Sequence, residues 1–239
     1  MALAVIIGVA LTAGTTSETG PGGAASTKAP SPAPSPAPEV ACGAERPEEA
    51  DPQTYASPPP MTIDKKTDLS AVVTTSCGDI VIDLLEKESP KSVNNFVFLA
   101  EEGFYDGLTF HRIEQNSVIQ GGSPDGTARG DAGYTIPDEF PKNPKGYVFG
   151  TVAMANEGPG SASSQFFIVV HDPDPKKGYE PAGYRPDYSI FGKVDPDDTT
   201  STKTLEEIAT LRTKLGDDPV TATTPVSNIY IESVEIEES

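Results

Sequence analysis

Beyond residue 68 the chain alternates short apolar runs with polar, glycine-rich breaks. Leu69–Thr75 and Asp79–Leu84 are rich in Val, Ile and Thr, and only Ser76, Cys77 and Gly78 separate them, which predicts a β-hairpin. Val93, Phe96, Val97 and Ala100 then recur at spacings of three and four, the period of an amphipathic helix. Ser89 is suited to its N-cap, Pro90 to its first turn, and Gly103 to its C-terminal stop. Further strands are predicted over 108–113, 117–120, 148–155, 165–170, 189–194 and 228–236. A second helix is predicted over 204–214, with Leu205, Ile208 and Leu211 on one side. About eight strands with two helices describe an all-β antiparallel barrel capped by helices.

The first sixty residues follow a different rule. Residues 1–13 are apolar, the length of a signal-peptide core and short of the roughly 20 residues that span a bilayer. No Lys or Arg precedes them, so they are expected to be the remnant of a longer signal or anchor helix. Residues 14–60 are Pro-, Ala- and Ser-rich, densest from Ala29 to Pro38, where every second residue is proline. Proline fixes φ and removes amide donors, so this stretch is expected to be a disordered, extended stalk rather than a ligand for a Pro-binding module. Residues 61–239 are left as the globular domain.

Charge narrows the function. The chain has 36 Asp and Glu against 17 Lys and Arg, a net charge of -19. Polyanions are repelled, so nucleic acid is excluded as a partner. Cys42 and Cys77 are the only cysteines and show no metal-ligand spacing with His111 or His171, so no metal is expected. A disulfide between them and a pair of free thiols both remain open.

Generic enzyme motifs do not fit. Gly121–Gly126 is glycine-rich but lacks the Lys-Ser/Thr of a phosphate loop, and Gly160–Ser164 lacks a nucleophile elbow. The acidic clusters at Asp172–Pro175 and Asp195–Asp198 do not match a calcium loop and read as solvated turns. What does stand out is an ordered set: Phe110-His111-Arg112, Gln120-Gly121-Gly122, Ala153-Met154-Ala155-Asn156, Ser164-Gln165-Phe166-Phe167-Ile168 and Phe191-Gly192-Lys193-Val194. In order and spacing this set resembles the cyclophilin family, from about Leu69 to Ile236.

The resemblance implies a closed eight-stranded antiparallel β-barrel with a helix over each open end, and peptidyl-prolyl cis-trans isomerase activity. It implies Arg112 as the catalytic residue, Gln120 and Asn156 as holders of the substrate backbone, Phe167 as the floor of the proline pocket, and Gln165 as the support of the arginine. His111, Val118, Ala155 and Tyr188 are assigned to the same substrate groove. Taken singly, Phe166 and Phe167 alternate in a strand and either reads as core, and Arg112 reads as a surface residue; their joint spacing overrides this. The chemistry needs no cofactor. Amide resonance sets a rotation barrier of about 18–20 kcal/mol. A guanidinium donating to the prolyl nitrogen acts mainly in the twisted state, the condition for lowering that barrier.

The chain departs from the family's pattern in several places. Ser117 and Val118 stand where an aromatic residue and methionine are common, and there is no tryptophan. A loop from Asp172 to Asp187 is longer, with Tyr184 offered as replacement wall. Glu157 stands where a small residue is usual, and Ser163 where glycine is common. These changes predict altered substrate preference and modest activity. The expected partners are Pro-containing unfolded or flexible polypeptides, met by a monomer outside the cytoplasmic membrane, secreted or tethered through the N-terminal helix. The alternative is a non-catalytic binding module or chaperone for Pro-containing segments.

Overall fold

A computed structural model describes residues 38–48, 51, 53–142, 147–170, 187–215 and 218–238. The apolar start, the Pro-rich segment through residue 37 and the loop at 171–186, Tyr184 included, lie outside the described residues. So do Asp172–Pro175.

Eight strands form one sheet among the described residues: β1 (Leu69–Thr75), β2 (Gly78–Leu84), β3 (Arg112–Glu114), β4 (Val118–Gly121), β5 (Thr151–Met154), β6 (Phe166–Val169), β7 (Ile190–Lys193) and β8 (Ile231–Glu238). Their order is β3-β4-β6-β5-β7-β2-β1-β8, and every neighbouring pair is antiparallel. The β1–β2 hairpin has the register expected of a two-residue turn, Thr75 opposite Gly78, with Gly78 at φ 120.

The barrel is open, not closed as the resemblance implied. Its edge strands β3 and β8 share no ladder. Residues 108–110, predicted to begin β3, instead reach across the seam. Ile231 N–H donates to Leu108 O at 2.8 Å, Phe110 N–H donates to Ile229 O at 2.9 Å, and Thr109 bridges Tyr230. The pairing stops there because the next residue, Asn228, gives both main-chain groups to another segment. Its N–H donates to Glu39 O and its carbonyl accepts from Ala41 N–H, each at 2.8 Å.

Within the described residues, the chain before residue 61 already packs on the domain, because Ala41 and Tyr55 have apolar surface to bury. Ala41 is 3% exposed. Cys42 and Cys77 are joined by a disulfide. Tyr55 sets its ring edge-on to Phe98 at 5.1 Å and donates its N–H to Ala132 O at 2.8 Å. Pro60 O accepts from Asn94 Nδ2 at 3.0 Å.

Helix α1 (Pro90–Glu101) ends as the sequence predicts. Gly103 sits at φ 67, its N–H bonds Ala100 O, and Phe104 N–H reaches back to Leu99 O, both at 2.9 Å. These are the paired bonds of a Schellman stop. Its start differs. Ser89 makes no cap bond and gives its hydroxyl to Ile190 O. The Glu139 carboxylate caps the helix instead, accepting from Lys91 N–H, Ser92 N–H and Ser92 Oγ at 2.9–3.1 Å. Helix α2 (Thr199–Thr210) begins five residues before the predicted position, because Asp198 is its N-cap and accepts from Thr200 N–H and Ser201 N–H. A short helix, α3 (Pro219–Thr223), capped by Asp218, was not predicted.

The core lies inside the sheet and under α1. Phe96 of α1 meets Phe166 at 5.6 Å and Phe191 at 5.0 Å, and Tyr105 and Phe110 pack onto the same Phe166 ring. A second, smaller apolar cluster holds Val118, Tyr147, Ala153, Phe167 and Val169.

Candidate active site

Register assembles the site. Glu114 O accepts from Ser117 N–H at 3.0 Å, and Asn116 takes the left-handed conformation (φ 56) that asparagine tolerates, so β3 turns tightly into β4. Arg112 then lies opposite Gln120, Gln120 opposite Phe167, and Phe167 opposite Ala153. The next turn is equally constrained. Gly122 sits at φ 79, and a Cβ there would lie 2.6 Å from Ser164 O, so no other residue fits behind Gln120 without shifting the strand.

A directed chain of hydrogen bonds runs along this row. The main-chain oxygens of Ala128 and Gly130 need donors, and Gln165 Nε2 supplies them at 3.0 and 2.7 Å. Gln165 Oε1 therefore faces Gln120 and accepts from its Nε2 at 2.9 Å. Gln120 Oε1 is left to accept from Arg112 Nη1, at 3.4 Å. The amides are thus turned so that each presents an oxygen towards the arginine. Arg112 Nη2 bonds the Glu114 carboxylate, a partner that the sequence reading overlooked. The signal was available: residues two apart on a strand share a face.

Beside the arginine lies the small apolar cluster. Phe167 is 4% exposed and Val118 2%, and Phe167 meets the Tyr188 ring edge-on at 5.2 Å. Phe166 belongs to the interior and Phe167 to this outer cluster, which separates the two neighbours. Tyr147 was also missed. Its hydroxyl donates to Tyr188 O at 2.7 Å and accepts from Tyr188 N–H at 3.1 Å, fixing the Tyr188 main chain from behind. Burial pushes the Tyr147 hydroxyl up to about 12, opposed by its bond to Tyr188, so it stays a protonated donor. Nothing in the apolar pattern marks it, because it precedes its strand.

On the other side of Gln120 is a cleft of about 270 Å³ bounded by Gln120, Ala155, Asn156 and Gln165, with Asp131 and Glu157 on its wall. The Asn156 side chain is committed internally: Nδ2 donates to Asp187 O at 2.8 Å and Oδ1 accepts from Gly158 N–H at 3.1 Å. What Asn156 offers a peptide is therefore its main chain. Ser163 is buried, and its hydroxyl accepts from Ala132 N–H at 3.1 Å, tying down the loop that carries Gly130.

His111 stands apart from this groove. It lines a separate cavity of about 260 Å³ with Pro38, Phe110, Lys214 and Asn228. Both ring nitrogens are buried without a well-formed hydrogen bond. Burial, then the Arg112 charge, lowers its pKa to about 4, against the opposing pull of Asp125. The structure thus places His111 with the seam residues rather than with the cleft at Gln120 and Asn156: it follows the core-facing Phe110 and precedes β3.

Comparisons with known proteins identify the family. The family described as cyclophilin type peptidyl-prolyl cis-trans isomerase/CLD matches residues 70–236. A Helicobacter pylori peptidyl-prolyl cis-trans isomerase is 39% identical over 124 residues, covering 52% of this chain and 71% of the relative. One from Synechococcus elongatus is 45% identical over 105 residues, 44% of this chain and 70% of the relative. Among solved structures, a Cryptosporidium parvum cyclophilin type isomerase superposes with a TM-score of 0.59 at 26% identity, covering 72% of this chain and 99% of the other. A crystal structure of that protein in the presence of the dipeptide Ala-Pro gives 0.58 at 27% identity, covering 71% and 99%. The chain belongs to the cyclophilin-type peptidyl-prolyl cis-trans isomerase family. It is an enzyme that interconverts cis and trans Xaa-Pro bonds, which sets aside the non-catalytic alternative.

Proposed function

We propose that this enzyme acts on Xaa-Pro bonds of unfolded or flexible exported polypeptides, with Arg112 lowering the rotation barrier. The observation that carries the reading is the oriented chain from Gly130 O through Gln165 and Gln120 to Arg112, beside a small apolar cluster. In the planar amide the prolyl nitrogen lone pair is delocalised and accepts poorly. In the twisted state it localises, and a guanidinium donor stabilises it there more than in either ground state. Arginine suits the task because it stays charged and holds its donors in a fixed plane. Phe167, Val118 and Tyr188 receive the proline ring. Gln120 and the main chain of Asn156 restrain one flank while the other turns. Gln165 acts through Gln120 as a positioning residue.

The Cys42–Cys77 disulfide favours an oxidising compartment. With the apolar start, it supports an extracytoplasmic enzyme, secreted or tethered through its N-terminus. Slow prolyl isomerisation limits folding there as elsewhere, and the reaction needs no energy source or cofactor. We take the working form as a monomer that does not bind nucleic acid.

The test is exchange of an Ala-Pro-Phe-type peptide by the full chain and by Arg112→Ala. Acceleration by the parent and a loss of about 100-fold or more in the variant is the expected result, on the scale of removing a transition-state donor. A variant that retains the parent's rate removes Arg112 from the mechanism.

A further inference from the structure

The Glu114 carboxylate touches the proposed catalytic arginine, yet the proposed chemistry gives it no role. Arg112 and Glu114 share the face of β3, with Gln120 opposite the first and Val118 opposite the second. Glu114 therefore stands where the apolar cluster of Val118 and Phe167 meets the arginine. Its carboxylate bonds Nη2 of Arg112, while Nη1 faces Gln120. Both ends of the guanidinium are engaged before any peptide arrives. The pair is also breakable: the side chains are 34% and 46% exposed, and ion pairs in such settings are weak.

We propose that Glu114 determines specificity, favouring Xaa-Pro segments that carry a lysine or arginine beside the proline. This rests on the catalytic role given to Arg112 above. A neutral peptide must compete with Glu114 for Nη2. A basic side chain gives the carboxylate a replacement partner, so one exposed ion pair is exchanged for another and Nη2 is released to the prolyl amide. An acidic side chain cannot make that exchange and is repelled. The surroundings act in the same sense: Glu157 and Asp131 line the cleft on the far side of Gln120 with Arg129 as its basic member, and the chain as a whole carries -19.

The experiment uses three peptides that differ only in Lys, Ala or Glu beside the proline, with the full chain and with Glu114→Gln at low and high salt. The parent should rank them Lys, Ala, Glu, with steps of about two- to fivefold in kcat/KM, the scale of one exposed ion pair. High salt should compress the ranking. Glu114→Gln should collapse it by raising kcat for the Ala peptide while KM stays within about twofold. Equal slowing of all three peptides by Glu114→Gln would show that Glu114 only orients the arginine, and overturns the proposal. An unchanged ranking overturns it too. Should Arg112→Ala keep the parent's rates, the underlying mechanism fails and this inference with it, a result distinct from either of the others.

Discussion

Phe166 and Phe167 are adjacent on β6, yet they serve different parts of the molecule. Phe166 is fully buried among Phe96, Tyr105, Phe110 and Phe191. Phe167 lies in the outer cluster with Val118 and Tyr188, next to a hydrogen-bonded polar row. The interior is aromatic and holds the sheet and α1 together. The outer cluster is small and lies beside the polar row of Gln165, Gln120 and Arg112. Stability and chemistry are thus divided across a single strand by its two-residue period.

The sharpest way to break this division is to truncate each ring. Phe166→Ala should cost about 3–5 kcal/mol in denaturant unfolding. Phe167→Ala should cost less than half as much, because its cluster is much smaller than the one around Phe166, while peptide binding is lost. Equal destabilisation by the two would erase the distinction.

His111 tests the seam side. Its pKa in the folded chain, about 4, lies below the ordinary value of 6.5. Between these values the unfolded chain binds more protons, so stability is full above pH 6.5 and falls as pH drops towards 4. A shift of this size corresponds to about 3 kcal/mol. Unfolding free energies across that range should slope accordingly, and His111→Phe should flatten the slope without altering exchange at neutral pH. A slope unchanged by the substitution would assign it to the carboxylates.

Smaller effects should come from the groove's frame. Tyr147→Phe removes a hydroxyl bonded both ways to Tyr188, and is expected to cost about 1–2 kcal/mol of stability. The same change should raise KM about fivefold with kcat preserved, since Tyr188 borders the pocket and not the rotating bond. A fall in kcat at constant KM would place Tyr147 nearer the chemistry than its contacts do. Last, Glu139→Ala uncaps α1 and should lower the melting temperature by the equivalent of about 1 kcal/mol. No change on melting would mean that Ser89 or water takes over the cap.

The sequence carried more of this plan than of its joints. The eight strands were legible because each is a short local apolar run between polar, glycine-rich breaks, and Gly103 because a helix stop is written within a few residues. The open seam was not, since it turns on Asn228 bonding residues 39 and 41. The cap of α1 was placed on Ser89, but the carboxylate that makes it comes from Glu139, 48 residues beyond Lys91. Helix α2 was started late because its apolar spacing begins only at Leu205, while its cap, Asp198, read as part of a solvated turn. In the site, motif spacing singled out Arg112, Gln120, Gln165 and Phe167, and the sheet register brings the four side by side. Tyr147 and Glu114 were missed because what they do depends on partners fixed only by tertiary register.

The most direct measurement follows one Pro peptide by NMR with the parent, Arg112→Ala and Phe167→Ala, reading dissociation constant and cis–trans exchange rate from the same samples. The account predicts a split. Arg112→Ala keeps binding within a few-fold and loses exchange, while Phe167→Ala loses binding. Exchange that falls only in proportion to binding in both variants would mean that the arginine serves to hold the peptide, and would contradict its role at the twisted amide.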